Sequence, residues 1–148
     1  MVAENTYDAG EYLLKLHSEG EFDTRLGPLS ARAAYYPPCH MREQKIGKPS
    51  YHLLNLIPGL SLEAIDEIYC CGNGGIMGFK KYFHPLSIKI SGRLMARLKR
   101  INPEVIATDC LSCRLQFNQL TPHRVLHPLE IFKKSYGNYQ AQAEPQRS

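Results

Sequence analysis

Residues 103–120 read "PEVIATDCLSCRLQFNQL", and this stretch decides the fold class. Its first part, residues 103–109, is apolar and β-branched, which is typical of a strand buried in a sheet. The remainder, residues 110–120, is predicted to be helical and follows without a long loop. A strand that leads directly into a helix is half of a βαβ unit, the unit from which parallel sheets are built.

The same alternation extends to both sides of this stretch. Further strands are predicted over 31–36, 61–68 and 124–128. The segment 61–68 has an ambiguous period, and its position between two loops favours a strand. Helices are predicted over 7–18, 49–57, 85–100, 110–120 and 129–136, with a turn or short helix over 76–83. Four strands, each followed by a helix, predict an α/β domain with a four-stranded, mostly parallel sheet flanked by helices.

The length of 148 residues fits one domain with a single core. Residues 1–30 are expected to form an N-terminal helix and lead-in, and residues 31–136 the cysteine-rich domain. Residues 137–148, "GNYQAQAEPQRS", have little apolar surface to bury and are predicted to be a flexible tail.

Composition excludes several classes of protein. Hydrophobic residues make up 43% of the chain, too many for a disordered protein. No apolar run approaches the roughly 18 residues that cross a bilayer, and the N-terminus "MVAENTYDAGEYLL" lacks the pattern of a secretory signal. A cytoplasmic location is therefore expected.

The predicted helix over 85–100 carries much of the net charge of +4. Its apolar face is predicted to consist of Ile90, Leu94, Leu98 and Ile101, and its basic stripe of Lys89, Arg93, Arg97 and Arg100. A solvated face is the favoured interpretation of such a stripe. Nucleic-acid binding is therefore disfavoured, because the charge surplus is small for this length.

The five cysteines follow the predicted strands. Cys39 follows the first strand, Cys70 and Cys71 follow the second, and Cys110 follows the third with Cys113 one helical turn further on. Because the carboxyl ends of parallel strands share one edge of a sheet, all five should meet there. An odd number of cysteines in a reducing compartment argues against a disulfide framework and favours metal ligation or thiol chemistry.

Local features support a cysteine site. Cys110 and Cys113 lie at a predicted helix N-terminus, which favours thiolates. Gly72, Gly74 and Gly75 let the chain turn around a bulky inorganic group. A structural zinc site or an ordinary iron–sulfur cluster takes four ligands, so either one thiol is spare or the bound group is a larger or unusual cluster.

Several polar residues are expected to surround this group. His40 is interpreted mainly as a hydrogen-bonding loop residue, with ligation or proton donation as the alternative. Asp109 is predicted to cap the helix that carries the last two cysteines. His127 would either contact a sulfur or cap the following helix. Lys80 and Lys81 would either offset the charge of a thiolate cluster or form a solvated surface pair.

The ordered motifs carry a resemblance to a known family. "YYPPCH", "CCGNGG" and "CLSC", together with "NLIPGL", "GFKK", "VIATDC" and "VLHPLE", resemble the cysteine-rich CCG domain over about residues 30–132. That domain occurs in the B component of heterodisulfide reductase, in the iron–sulfur subunit of anaerobic glycerol-3-phosphate dehydrogenase, and in iron–sulfur subunits of glycolate oxidase and of lactate utilisation. "GFKK" and "TDCLSCRLQ" lean toward the glycerol-3-phosphate dehydrogenase subunit.

The resemblance implies a specific cofactor. In heterodisulfide reductase the five cysteines of such a motif hold a noncubane 4Fe-4S cluster, and the matching positions in this sequence are Cys39, Cys70, Cys71, Cys110 and Cys113. Some family domains have been associated with zinc. Family members commonly carry two such domains and ferredoxin-type motifs, so this chain looks like the C-terminal domain of a longer subunit or a stand-alone relative that needs a partner.

The leading hypothesis is an iron–sulfur redox module within an oxidoreductase complex, with no turnover assigned to the domain alone. Expected partners are other subunits or domains of that complex and a small redox substrate or quinone. The location is cytoplasmic, or membrane-associated through partner subunits. The alternatives are a structural zinc domain without a redox role and a metal-free thiol–disulfide protein that uses Cys110 and Cys113.

Overall fold

The computed structural model describes residues 5–75 and 77–143. Its helices are α1 Ala9–Ser18, α2 Cys39–Glu43, α3 Pro49–Leu54, α4 His84–Ile101, α5 Leu111–Leu120 and α6 Pro128–Ala143, with a 3-10 turn at Met77–Phe79. Its strands are β1 Ala31–Tyr35, β2 Leu60–Ala64, β3 Val105–Ala107 and β4 Arg124–Leu126. Each strand is followed by at least one helix, which confirms the predicted α/β class.

The four strands form one sheet with the order β2-β1-β3-β4, and every neighbouring pair is parallel. The register places the strand ends in one row, in which Tyr35 lies opposite Ala64 on one side and Ala107 on the other, and Ala107 lies opposite Leu126. The chain leaves β1 for β2 on one side and later returns to β3 on the other. The carboxyl ends of β1 and β3 therefore flank a topological switch point, where open α/β sheets bind ligands.

Both faces of the sheet are buried. One core contains Ala34, Tyr36 and Ile106 from the sheet region, packed with residues of α4 and α5. The other contains Tyr35 and Ala107, packed with residues of α3 and α6. Alternate residues of β1 and β3 serve the two cores because successive side chains of a strand point to opposite faces. The result is a three-layer arrangement with helices on each side of the sheet.

The second strand is shorter than predicted. It ends at Ala64, whereas the prediction extended it to residue 68. Beyond this end, the Ile65 N–H still donates to the Tyr35 carbonyl at 2.9 Å, and the next two side chains form exposed ion pairs, Asp66 with Lys48 and Glu67 with Arg97. Cys70 and Cys71 consequently follow a loop rather than the strand itself.

Helix α4 buries part of its predicted apolar face, with Leu94 and Leu98 in the core. Its buried residues are Ser87, Ser91, Leu94 and Leu98. Ile90, predicted to face the core, is 42% exposed, so that part of the prediction is wrong. Two serines occupy the buried face because the loop after Cys71 approaches α4 too closely for larger side chains. The predicted basic face is solvated, and Arg97 forms ion pairs with Glu63 and Glu67.

Helix α6 continues beyond residue 136, where the tail was predicted to begin. It reaches Ala143, and within this extension the Asn138 side chain donates a hydrogen bond to the Pro28 carbonyl at 2.9 Å. Residues 144–148 of the predicted tail lie outside the described residues. The domain boundaries themselves remain predictions.

Candidate metal centre at the carboxyl edge of the sheet

The cysteines lie on loops that leave the sheet at its carboxyl edge. Cys39 opens α2 directly after Pro37 and Pro38, which end β1, and Cys110 is the N-cap of α5 directly after β3. These two cysteines therefore flank the switch point between β1 and β3. The loop that contains Cys70 and Cys71 reaches the same region from β2.

The five sulfurs differ in burial. Cys71 and Cys113 are buried in the core between the sheet and helices α4 and α5, at 4% and 1% exposure. Cys110 is half-buried, and Cys39 and Cys70 are exposed. The group thus has an inner side that excludes water and an outer side open to solvent.

The charges of four cysteine sulfurs act on the Tyr36 hydroxyl. Burial raises the pKa of this hydroxyl, and so do the nearby negative charges of Cys113, Cys71, Cys70 and Cys39. The hydroxyl donates a hydrogen bond to the Tyr69 carbonyl at 2.9 Å, which ties the end of β1 to the loop of the paired cysteines. The structure therefore brings the predicted cysteines into one electrostatic neighbourhood.

Three of the thiols share protons. The Cys113 thiol hydrogen-bonds Cys110 and lowers the pKa of Cys110 to about 5, assisted by the backbone N–H groups of Cys113 and Ser112 and by the charge of His40. It also lowers the pKa of Cys71 to about 7. Its own pKa is raised by the same two partners and by burial. Because a thiol has one proton, Cys113 donates to only one of these two partners at a time, and the donation favours the thiolate form of the partner that accepts it.

Cys39 is the outer member of the group. Its pKa is raised first by burial and then by the charges of Cys70, Cys71 and Cys110, with Arg42 opposing the rise. Cys39 must lose its proton before it can ligate a metal. A bound cation would favour this loss, because it offsets the repulsion between the thiolate and its neighbours. Cys39 is thus electrostatically coupled to the inner cysteines despite its exposure.

The glycine loop is held against α4 by a very close approach. Gly72 has φ +87°, and a Cβ atom placed on it would lie 2.1 Å from the Ser87 carbonyl oxygen. Its N–H donates to the Cys70 sulfur at 3.3 Å, and the Asn73 N–H donates to the Cys71 sulfur. Gly74 and Gly75 also have positive φ, of 52° and 65°. The loop therefore turns its amide dipoles toward the paired sulfurs, which the glycines make possible.

Asn73 is a site residue that sequence reasoning missed. It is 1% exposed, and its side-chain amide donates to the Ser112 carbonyl at 3.1 Å, between the two cysteines of α5. Gly78 packs directly on it, since a Cβ atom there would lie 2.1 Å from Asn73 Oδ1. An asparagine among glycines is typical of a turn. No local pattern therefore indicates that the Asn73 side chain connects the glycine loop to the start of α5, a contact called the clamp below.

The polar residues that were expected to surround the cysteines differ in what they contact. Asp109 does not cap α5, whose N-cap is Cys110 without a side-chain cap, so that prediction is wrong. The Asp109 carboxylate instead accepts hydrogen bonds from Tyr35 and Ser50. His127 caps α6 through a hydrogen bond from the Leu129 N–H to its Nδ1 at 3.2 Å, one of the two predicted alternatives. Lys80 and Lys81 are exposed.

The donor set fits a thiophilic group. Thiolate sulfur is the ligand that zinc and iron–sulfur clusters take. The Thr108 hydroxyl is buried and has no hydrogen-bond partner among the described residues, and Thr108 continues the strand pairing through its N–H to the Leu126 carbonyl at 3.2 Å. By strand alternation it points to the same face as Ile106, which packs in the core with Cys71 and Cys113. An inorganic sulfide or thiolate there would supply the missing acceptor.

Within residues 5–75 and 77–143, no three or more His, Cys, Asp or Glu side chains stand together in the arrangement of a metal-holding group. The ligand assignment to the five cysteines therefore remains a prediction. Over the same residues, no helix combines the length and apolarity needed to cross a membrane.

Comparison with known proteins places these features in a family. The family model described as the CCG cysteine-rich domain matches residues 33–118, a span that contains all five cysteines and Asn73. The chain is 36% identical over 112 residues to one subunit of anaerobic glycerol-3-phosphate dehydrogenase, the one designated C, of Escherichia coli (strain K12) and, equally, of Escherichia coli O157:H7. These alignments cover 74% of this chain but 28% of the relatives, so the chain spans little more than a quarter of their length.

Proposed function

We propose that this chain, which belongs to the family of CCG cysteine-rich domains, is an iron–sulfur redox module whose five cysteines hold one cluster. The observation that supports the proposal is electrostatic: the charges of four of these cysteines act on Tyr36, and those of Cys70, Cys71 and Cys110 act on Cys39. The number exceeds the four ligands of an ordinary cluster, and the resemblance to heterodisulfide reductase implies a noncubane 4Fe-4S cluster.

A bound cluster would supply one-electron transfer, and the chain's own residues would adjust it. The N–H groups of Gly72 and Asn73 donate to the Cys70 and Cys71 sulfurs. Hydrogen bonds to sulfur stabilise added electrons and raise a reduction potential. Burial of the inner sulfurs excludes water, whereas the exposed Cys39 and Cys70 mark the side on which an electron partner would approach.

The module would serve inside a larger redox complex. The two relatives are named as a subunit of an anaerobic dehydrogenase, and this chain matches little more than a quarter of each. We place the chain beside other subunits or domains that pass electrons to and from it, with a small redox substrate or quinone at the end of the path. Its proposed location is the cytoplasm, or a membrane surface reached through those partners.

Anaerobic purification tests the proposal. The protein should contain iron and acid-labile sulfide in equal amounts, absorb visible light and give an electron paramagnetic resonance signal in one oxidation state. Serine substitution of each cysteine should reduce the iron content or alter that signal, whereas Ser112→Ala, in the same helical turn as Cys113, should do neither. A colourless protein with one tightly bound zinc and no sulfide contradicts the proposal and supports a structural zinc site.

The lowered pKa of Cys110 favours a second candidate function, thiol–disulfide exchange. The Cys110 thiolate would attack a substrate disulfide and release one thiolate, which would take the proton of Cys113; the Cys113 thiolate would then attack the mixed disulfide and release the other thiolate. The chain would end with a Cys110–Cys113 disulfide and the substrate with two more electrons. Metal-free protein that oxidises reversibly to this disulfide, with a defined reduction potential, would support this candidate; iron retained by all five cysteines would exclude it.

A further inference from the structure

The Asp109 carboxylate is held on both oxygens. Its Oδ2 accepts a hydrogen bond from the Tyr35 hydroxyl at 2.7 Å, and its Oδ1 accepts one from the Ser50 hydroxyl at 2.6 Å. Tyr35 is fully buried at the end of β1, and Ser50 is 2% exposed in the first turn of α3. Hydrogen bonds to an ionised acceptor are stronger than neutral ones. Two separate elements therefore fix the position of Asp109.

Asp109 directly precedes the cysteine helix. Cys110 is the N-cap of α5 in an extended conformation, with φ −96° and ψ 122°, and no side chain caps this helix. The Arg114 N–H closes the first turn on the Cys110 carbonyl at 3.0 Å. A displacement of Asp109 would thus carry the whole first turn with it, including the sulfurs of Cys110 and Cys113.

Helix α1 packs against Ser50, one of the two residues that donate hydrogen bonds to Asp109. Gly10 is buried against α3, and a Cβ atom placed on it would lie 2.3 Å from Ser50 Oγ and 3.3 Å from Ser50 N. The Asp8 carboxylate caps the helix at this point by accepting from the Gly10 N–H at 2.9 Å. Only glycine allows so close an approach. Because α1 precedes residue 33, this contact lies outside the span matched by the family model.

We infer that Tyr35, Ser50 and Asp109 form an anchor that positions Cys110, and that α1 locks this anchor through Gly10. These are positioning residues, since they act on the site through the backbone of α5. The inference deepens the proposed function, and it rests on that function in taking Cys110 as a cluster ligand. The N-terminal helix is then a part of the cysteine site, although it carries no cysteine.

Hydrogen exchange in the metal-free, reduced protein tests the anchor. Ser50→Ala should accelerate exchange at the amides of Ser112, Cys113 and Arg114 by at least about fivefold relative to the β1 amides, since it removes a bond to a charged acceptor. Gly10→Ala should do the same by pushing Ser50 away. The matched control is Gly92→Ala on α4, where a Cβ atom meets nothing within 4 Å; it should leave these amides unchanged.

The double variant tests the connection between Gly10 and Ser50. Removing the Ser50 hydroxyl removes the atom with which the new methyl collides, so Gly10→Ala combined with Ser50→Ala should exchange no faster than Ser50→Ala alone. Additive acceleration would overturn the lock. Equal exchange in Ser50→Ala and in the Gly92→Ala control would overturn the anchor.

The protein reconstituted with an iron–sulfur cluster allows a second test, through the spectrum and the midpoint potential of the cluster. After anaerobic reconstitution with iron and sulfide, Asp109→Asn and Gly10→Ala should shift the electron paramagnetic resonance g-values or the midpoint potential, and Gly92→Ala should not. Unshifted values in both variants would overturn the positioning role. If no variant and not even the parent protein takes up iron, the proposed function fails, while accelerated exchange in Ser50→Ala would still support the anchor.

Discussion

Alanine at position 72 should destabilise the protein more than alanine at position 75, and the structure gives the size of the difference. Both glycines have positive φ, so each substitution costs about 1–2 kcal/mol of backbone strain. At Gly75 the new methyl group meets no atom within 4 Å in the part of the chain that the structure describes, its chain neighbours aside. At Gly72 it would lie 2.1 Å from the Ser87 carbonyl oxygen and 3.2 Å from Ser91 Cβ, and neither neighbour is a flexible side-chain end.

The loop must therefore move away from α4 in Gly72→Ala. A shift of about 1 Å in a packed region costs about 1–3 kcal/mol, which gives a total of about 2–5 kcal/mol, compared with about 1–2 kcal/mol for Gly75→Ala. This is a large part of the roughly 5–15 kcal/mol that stabilises an ordinary domain.

Urea unfolding of the metal-free, reduced protein, followed by far-ultraviolet circular dichroism, measures both variants. The midpoint should fall further for Gly72→Ala at an unchanged denaturant slope. The same displacement moves Cys70 and Cys71, so iron uptake should fall in Gly72→Ala and not in Gly75→Ala. Equal destabilisation of the two variants would refute the steric argument and leave backbone strain as the whole effect.

Three further predictions concern Asn73, the thiols and Arg97. Asn73→Ala should lower the free energy of unfolding by about 1–3 kcal/mol, because it removes the side-chain hydrogen bond to the Ser112 carbonyl and leaves a void at a position that is 1% exposed. In metal-free protein, iodoacetamide should still modify Cys110 at pH 6, since its pKa of about 5 keeps it ionised, whereas modification of Cys39, whose pKa is raised, should fall about tenfold for each pH unit below 8. Arg97→Gln should leave the urea midpoint of unfolding close to that of the parent protein, because its two glutamate partners are solvent-exposed.

Each of these has a result that contradicts it. An unchanged unfolding free energy in Asn73→Ala would remove its assignment as a clamp. Parallel pH profiles for the two cysteines, read by mass spectrometry of the modified peptides, would remove the proton sharing between Cys110 and Cys113. A loss of several kcal/mol in Arg97→Gln, insensitive to salt, would show a buried rather than a surface ion pair.

The cysteine site could be predicted to a large extent from the sequence. The apolar, β-branched run 103–109 and its following helix are local patterns, and so is the placement of cysteines after strands. Parallel sheets put all strand ends on one edge, so convergence followed from topology alone. The assignment of all five cysteines as ligands is still a prediction, which the metal analysis above would test.

The details around the site could not be predicted from local patterns. The burial of Ser87 and the exposure of Ile90 accompany the close approach of the Gly72 loop to α4, a contact between distant segments. The early end of β2 likewise has no local pattern that marks it within residues 61–68. Helical periodicity describes which residues share a face, but only packing selects the face that is buried.

The α/β class, the parallel sheet and the edge from which the cysteine loops leave follow from local sequence, because strand–helix alternation and residue spacing are properties of short segments. The partners of Asp109, the hydrogen bond from Asn73 and the contact of α1 through Gly10 depend on tertiary packing. Those contacts join residues far apart in the chain, at distances set by the packing of whole elements.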